Sequence, residues 1–152
     1  MRVVYKDLWD IYASLKPDEY ICITTNGSIR RDGCAVMGRG CAYEATQKFP
    51  DIQKKLGVLL KSGNHVHCFP EYKLFTFPVK TTWDQQASLN LIQQSCYELS
   101  AYIEHSRHVE MAYLPKPGCA NGRLRWENVE PTIDMILKNL PVTIVDRPPK
   151  QP

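Results

Sequence analysis

Residues 115–127 read PKPGCANGRLRWE. The segment before them, VEMAYL (109–114), has the apolar character of a strand. After them, Val129, Ile133, Ile136, Leu137 and Leu140 recur at helical spacing over residues 126–140. Strand, glycine-bearing loop and helix in that order form an arrangement that can hold phosphate. Glycine lets backbone N–H groups close on an anion, and a helix start adds positive partial charge. Pro131 falls in the second turn and predicts an irregular helix start.

The same order recurs upstream. YICITTN (20–26) reads as a second, more apolar strand, and NGSIRRDGCAVMGRG (26–40) follows it with four glycines. A helix is expected after Gly40, with Ala42, Ala45 and Phe49 on one face and a stop before Pro50. Residues 51–62 predict another helix, with Ile52, Leu56, Leu59 and Leu60 on one side. HVHCF (65–69) and KLFTFPV (73–79) are strand-like. Leu89, Ile92, Cys96, Leu99 and Ile103 mark a long amphipathic helix over 88–105. MRVVY (1–5) and PVTIV (141–145) read as the first and last strands.

This alternation predicts an α/β fold: a three-layer α/β/α sandwich around a mixed, mainly parallel central sheet. Such sheets bind ligands at the C-terminal ends of their strands. The loops after Asn26, Lys80 and Leu114 sit there, and they are also the most unusual stretches of the chain.

Bulk properties narrow the function classes. The 152 residues suit a single domain over 1–146, with a flexible Pro-rich tail at 147–152. The net charge of +3 fits an anionic ligand but is too weak and too spread out to argue for nucleic acid. No apolar run reaches the roughly 18 residues of a membrane span, and MRVVYKDLWD lacks a signal-peptide core. A cytoplasmic monomer without membrane contact is expected. None of the six cysteines has C-x-x-C spacing, so they read as buried or loop thiols. His65, His67, His105 and His108 form no triad or metal set. Neither metal nor cofactor is expected.

Composition leaves the two glycine loops open to two readings: a two-sided clamp on a diphosphate, or two unrelated turns. Neither is a Walker loop or a dinucleotide fingerprint, since G-K-S/T and G-x-G-x-x-G are absent. Lys80 ends an apolar strand in FPVKTTW, where partial desolvation would favour a free amine. Asp7, in YKDLWD, reads either as a helix N-cap or as an acceptor for an exocyclic amine.

KDLWD, TTNG, VMGRGCAYEATQKFP, FPVKTTW and LPKPGCANGRLRWENV, in this order, resemble the macro domain, an ADP-ribose-binding family. The likeness leans toward the branch holding the terminal ADP-ribose protein glycohydrolase and the antitoxin that removes ADP-ribose from DNA. It spans almost the whole chain.

The resemblance implies that Asp7, beside Leu8, accepts from the adenine amine, with Lys6 in place of the usual glycine. Asn26 would lie near the distal ribose. Gly33, Cys34, Ala35, Val36, Met37, Gly38 and Gly40 would form the loop around that ribose and its phosphate. Pro115 would open the second phosphate loop, formed by Gly118, Cys119, Ala120, Asn121, Gly122 and Arg123.

Lys80 would be the catalytic nucleophile, assisted by Asn26, in hydrolysis of ADP-ribosyl linkages on DNA or protein. The alternatives are a non-catalytic ADP-ribose-binding module and an ADP-ribose 1″-phosphate phosphatase. One departure bears on substrate. The protein glycohydrolase carries an aspartate where this chain has Gly122, whereas the DNA-directed branch has glycine around this point.

Overall fold

The computed structural model describes residues 1–106 and 108–149. Among these residues six strands, β1 (Val3–Tyr5), β2 (Glu19–Asn26), β3 (His67–Phe69), β4 (Leu74–Lys80), β5 (Met111–Pro115) and β6 (Val142–Asp146), form one sheet. Their order is β1-β6-β5-β2-β4-β3. All neighbours are parallel except β3, which runs antiparallel to β4 along one edge. A parallel sheet needs cover on both faces, which is why β4 is buried along its whole length.

Among the described residues the cover comes from five α-helices: α1 (Leu8–Ala13), α2 (Gly40–Lys48), α3 (Ile52–Leu60), α4 (Leu89–His105) and α5 (Trp126–Leu137). Alternation along the strands divides the core in two. Cys22, Phe75, Phe77, Val142 and Ile144 meet Ile92, Cys96 and Leu99 of α4 and Val129, Ile133 and Leu137 of α5. Ile21, Ile23, Leu74 and Val145 meet Leu8 and Ile11 of α1, Ala42 and Ala45 of α2, and Ile52 and Leu56 of α3. The result is the three-layer sandwich with a mixed, mainly parallel sheet that the alternation predicted.

Two expectations differ from the structure. Helix α1 was not foreseen. It is only six residues long, and Asp7 starts it by accepting from Trp9 N at 2.9 Å and Asp10 N at 3.2 Å. Helix α5 does not begin irregularly around Pro131 but runs through it. Proline lacks the N–H that would bond back to the Glu127 carbonyl. Complete burial of Val129, Ile133 and Leu137 on one face holds the helix in spite of that loss.

At the end of β4 the pairing with β2 slips: Thr25 faces Pro78, but Asn26 faces Lys80. Pro78 has no N–H to give the ladder, and its carbonyl accepts from Ser95 Oγ at 2.7 Å. All six cysteines are unpaired. Among the described residues, no helix is long and apolar enough to cross a membrane. No group of three or more His, Cys, Asp or Glu among them is placed to hold a metal ion.

Candidate functional site

A cleft of about 600 Å³ opens over the C-terminal ends of the parallel strands. Lys6, Asp7 and Leu8 stand at the β1 end, and Lys80 stands at the β4 end. Four strand spacings separate those ends, so the cleft is roughly 19 Å long. Its walls carry Lys6, Arg39, Lys80, Lys116 and Arg147 against Asp7, Glu44 and Asp146, a balance that favours an anion.

The first wall is the loop between β2 and α2. Asn26 closes it like a staple: Nδ2 donates to Val36 O at 3.0 Å, and Oδ1 accepts from Ser28 N at 2.9 Å. Val36 N then donates to Ser28 O at 3.0 Å. Beyond the loop, α2 begins at Gly40 without a side-chain cap. Gly40, Cys41 and Ala42 line the cleft, so first-turn amides of this helix are available to an anion there.

The second wall is the loop from Pro115 to Leu124. Gly118 takes a left-handed backbone (φ 76), and a Cβ there would meet Ile92 Cδ1 at 2.8 Å and Ala87 Cβ at 3.0 Å. Gly122 is required for space alone: its Cβ would stand 2.6 Å from Gly118 O and 2.7 Å from Ala87 Cβ. This loop is folded back on itself through Leu124 N to Gly118 O at 2.8 Å.

A brace from residue 81 to residue 88 joins the two walls. Gly27 N donates to Thr81 O at 3.1 Å, and Trp83 N donates to Ser28 Oγ at 3.0 Å. On the other side, Ala87 N donates to Gly122 O at 3.0 Å. Lys80 lies at the start of this brace. It is 9% exposed, and its Nζ donates to Trp83 O at 3.4 Å. Among the described residues no carboxylate pairs with it. Burial holds its pKa below that of an ordinary lysine, and the positive charges of Arg123 and Arg39 push it the same way, against a smaller pull from Asp84.

The two thiols of the cleft are shifted in the opposite sense. Burial raises the thiol pKa of both Cys41 and Cys119, so both stay protonated. Of these three side chains, Lys80 alone is shifted toward its unprotonated form.

Of the sequence-predicted residues, Asp7, Leu8, Asn26, Val36, Met37, Gly38, Gly40 and Lys80 line the cleft. Pro115, Gly118, Cys119, Ala120, Asn121 and Gly122 do so as well. Gly33, Cys34 and Ala35 do not: that part of the loop turns back onto α3, where Ala35 N donates to Gln53 O at 2.8 Å and Ala35 O accepts from Gln53 Nε2 at 3.2 Å. Arg123 lies beside the cleft lining, with its side chain exposed.

Residues not foreseen include Arg39, Trp83, Trp126 and the pair Lys116–Asp146, whose Nζ and Oδ2 are 2.8 Å apart. Lys116 also lies over the Trp126 ring, 5.1 Å from its centroid. Arg147, expected in a tail, lines the cleft too. Residues 150–152 of that expected tail lie outside the described residues. Proximity in sequence to PKPG and FPVK was the signal that could have found Lys116 and Trp83.

This fold, with a cleft at the strand ends flanked by two glycine loops, is that of the macrodomains. The macrodomain of Thermus aquaticus DarG superposes with a TM-score of 0.74 at 24% identity, covering 97% of each chain. Thermosipho africanus DarTG in complex with ADP-ribose superposes at 0.72 with 19% identity, over 94% of this chain and 41% of its own. A DNA ADP-ribosyl glycohydrolase of Thermus aquaticus is 28% identical over 116 residues, 69% of this chain. The chain spans about a third of that relative's length, 32%. No family model matches the chain.

Proposed function

We propose that this protein binds ADP-ribose along the cleft and hydrolyses an ADP-ribosyl linkage with Lys80 as nucleophile. The observation that carries this reading is Lys80 itself: a buried lysine without a carboxylate partner among the described residues, at the cleft end opposite Asp7. Adenine fits at Asp7, the diphosphate fits between the α2 amides and the Gly118 loop, and the distal ribose then falls beside Lys80. The DNA ADP-ribosyl glycohydrolase and the ADP-ribose-bound DarTG among the similar proteins support the ligand and the reaction class. Gly122 supports a DNA acceptor over a protein one, as its resemblance to the DNA-directed branch implies.

In the reaction, the neutral Nζ attacks the anomeric carbon as the bond to the acceptor breaks. The electron pair leaves with the acceptor, and the proton lost by Nζ goes to it. Water then displaces Nζ, giving ADP-ribose and the free lysine. Asn26 acts by holding the loop against the ribose, since both ends of its amide bond backbone. The test is turnover of an ADP-ribosylated oligonucleotide with borohydride added. An ADP-ribosyl adduct mapping to Lys80 is expected, because the lysyl glycosylamine opens its ribose ring to an imine that borohydride reduces, and full activity in Lys80→Ala would refute the covalent route.

A further inference from the structure

Trp83 stands apart from the other two tryptophans. Trp9 and Trp126 pack against the two halves of the core, whereas Trp83 belongs to neither and is 50% exposed. Among the described residues no aromatic ring or cation contacts its indole. A lone exposed aromatic is ordinary, but this one has a fixed place. Its backbone N–H is tied to Ser28 Oγ at 3.0 Å, and its carbonyl accepts from Lys80 Nζ at 3.4 Å. Trp83 also lines the cleft, at the Lys80 end that lies farthest from Asp7.

The same rim carries exposed arginines. Arg39 and Arg123 are close enough to Lys80 for their charges to lower its pKa. Arg123 also holds a left-handed backbone (φ 63) that disfavours any side chain, in the loop that Gly118 and Gly122 shape. Backbone held in such a sparsely populated region is a mark of functional loops.

The geometry points to Trp83 as the residue that selects the acceptor: its indole stacks on the nucleobase that carries the ADP-ribose, with Arg123 and Arg39 on the phosphates to either side. This inference rests on the proposed ADP-ribosyl hydrolase reading and adds the acceptor-side contact to it. An exposed indole on a rim that also carries exposed arginines matches a flat base on a phosphate backbone. An aliphatic or carboxylate acceptor on a protein would leave the ring unused.

The test compares three ligands on the full chain: free ADP-ribose, an ADP-ribosylated peptide, and a single-stranded oligonucleotide with ADP-ribose on one base. Wild type should bind the oligonucleotide more tightly than ADP-ribose. Trp83→Ala should weaken the oligonucleotide about tenfold, the scale of one base–aromatic stack. It should leave ADP-ribose and the peptide within about twofold. KM for the oligonucleotide should rise with kcat nearly constant, and Trp83→Phe should restore most of the loss. Arg123→Gly, which suits the backbone, should reduce the salt dependence of oligonucleotide binding.

Equal wild-type affinity for oligonucleotide and ADP-ribose overturns the inference. So does an equal loss on all three ligands in Trp83→Ala, or no loss on the oligonucleotide. Tight, Trp83-dependent oligonucleotide binding without turnover sinks the hydrolase reading but leaves the stacking role standing.

Discussion

The carbonyl of Gly33 lies so close to Gly57 that a Cβ on residue 57 would stand 1.9 Å from its oxygen and 3.0 Å from Ala35 N. The first cleft loop thus rests on the back of α3, at a point where only glycine fits. Alanine is the better helix former by about 1 kcal/mol, so Gly57→Ala would stabilise an unconstrained helix. Here it should destabilise by about 1–3 kcal/mol, the cost of overpacking. It should also weaken ADP-ribose by displacing the loop. Thermal denaturation and calorimetry check both, and a raised Tm would show that the loop yields freely.

Lys80 is buried with its charge poorly compensated, so removing that charge should help the fold. Lys80→Met should abolish turnover and raise Tm, the signature of a residue kept for chemistry at the expense of stability. The pH profile carries the same sign. A lowered lysine pKa means that the neutral amine appears at lower pH, so activity should rise with pH through a midpoint below that of ordinary lysine. Arg39→Gln removes a nearby positive charge and should move that limb to higher pH. An unmoved limb would show that another group titrates.

Asp7 has two uses that one substitution can separate. Oδ1 caps α1, and Asp7→Asn keeps an oxygen acceptor for Trp9 and Asp10. If the other oxygen takes the adenine amine, Asp7→Asn should weaken ADP-ribose by about 1.5–3 kcal/mol, the range for a hydrogen bond to a charged group. An inosine analogue, whose carbonyl accepts, should bind the variant better than the wild type. Parallel losses for both ligands would make Asp7 a cap alone.

Restoring the aspartate of the protein glycohydrolase should fail. At Gly122 a Cβ would meet Gly118 O at 2.6 Å and Gly118 Cα at 2.8 Å. Gly122→Asp should therefore lower stability by about 1–3 kcal/mol and distort the second loop without speeding turnover. Faster release of the lysyl adduct in a stable variant would contradict this packing account.

The strands and the long helices were legible because burial on one or both faces leaves a periodic trace. Ile92, Cys96 and Leu99 announce α4 by their spacing alone. Helix α1 left too short a trace, and its start was carried by one carboxylate, Asp7, whose capping role was one of two open readings. The glycine loops were legible as loops, but the reason for each glycine was not. Gly118 and Gly122 look like openings for phosphate, yet a Cβ at either would crowd Ala87. Gly57 stood unnoticed within a helical pattern, because its neighbour Gly33 is 24 positions away in sequence. The place of Lys80 in the cleft was legible from its position at a strand end, whereas the Ser28–Trp83 tie joins residues 55 apart and leaves no local pattern.

The uncapped start of α2 gives the cleft an internal clock. With no side chain to cap that first turn, the amides of Gly40, Cys41 and Ala42 depend on whatever fills the cleft. In the ligand-free protein they should trade their protons with deuterated solvent quickly, because nothing must unfold first. With a diphosphate seated on them they should slow together, while Tyr43, whose N–H already bonds Arg39 O at 3.2 Å, stays nearly constant. Three adjacent amides slowing beside an unchanged fourth would report occupancy of the anion seat directly, in wild-type protein and without a label.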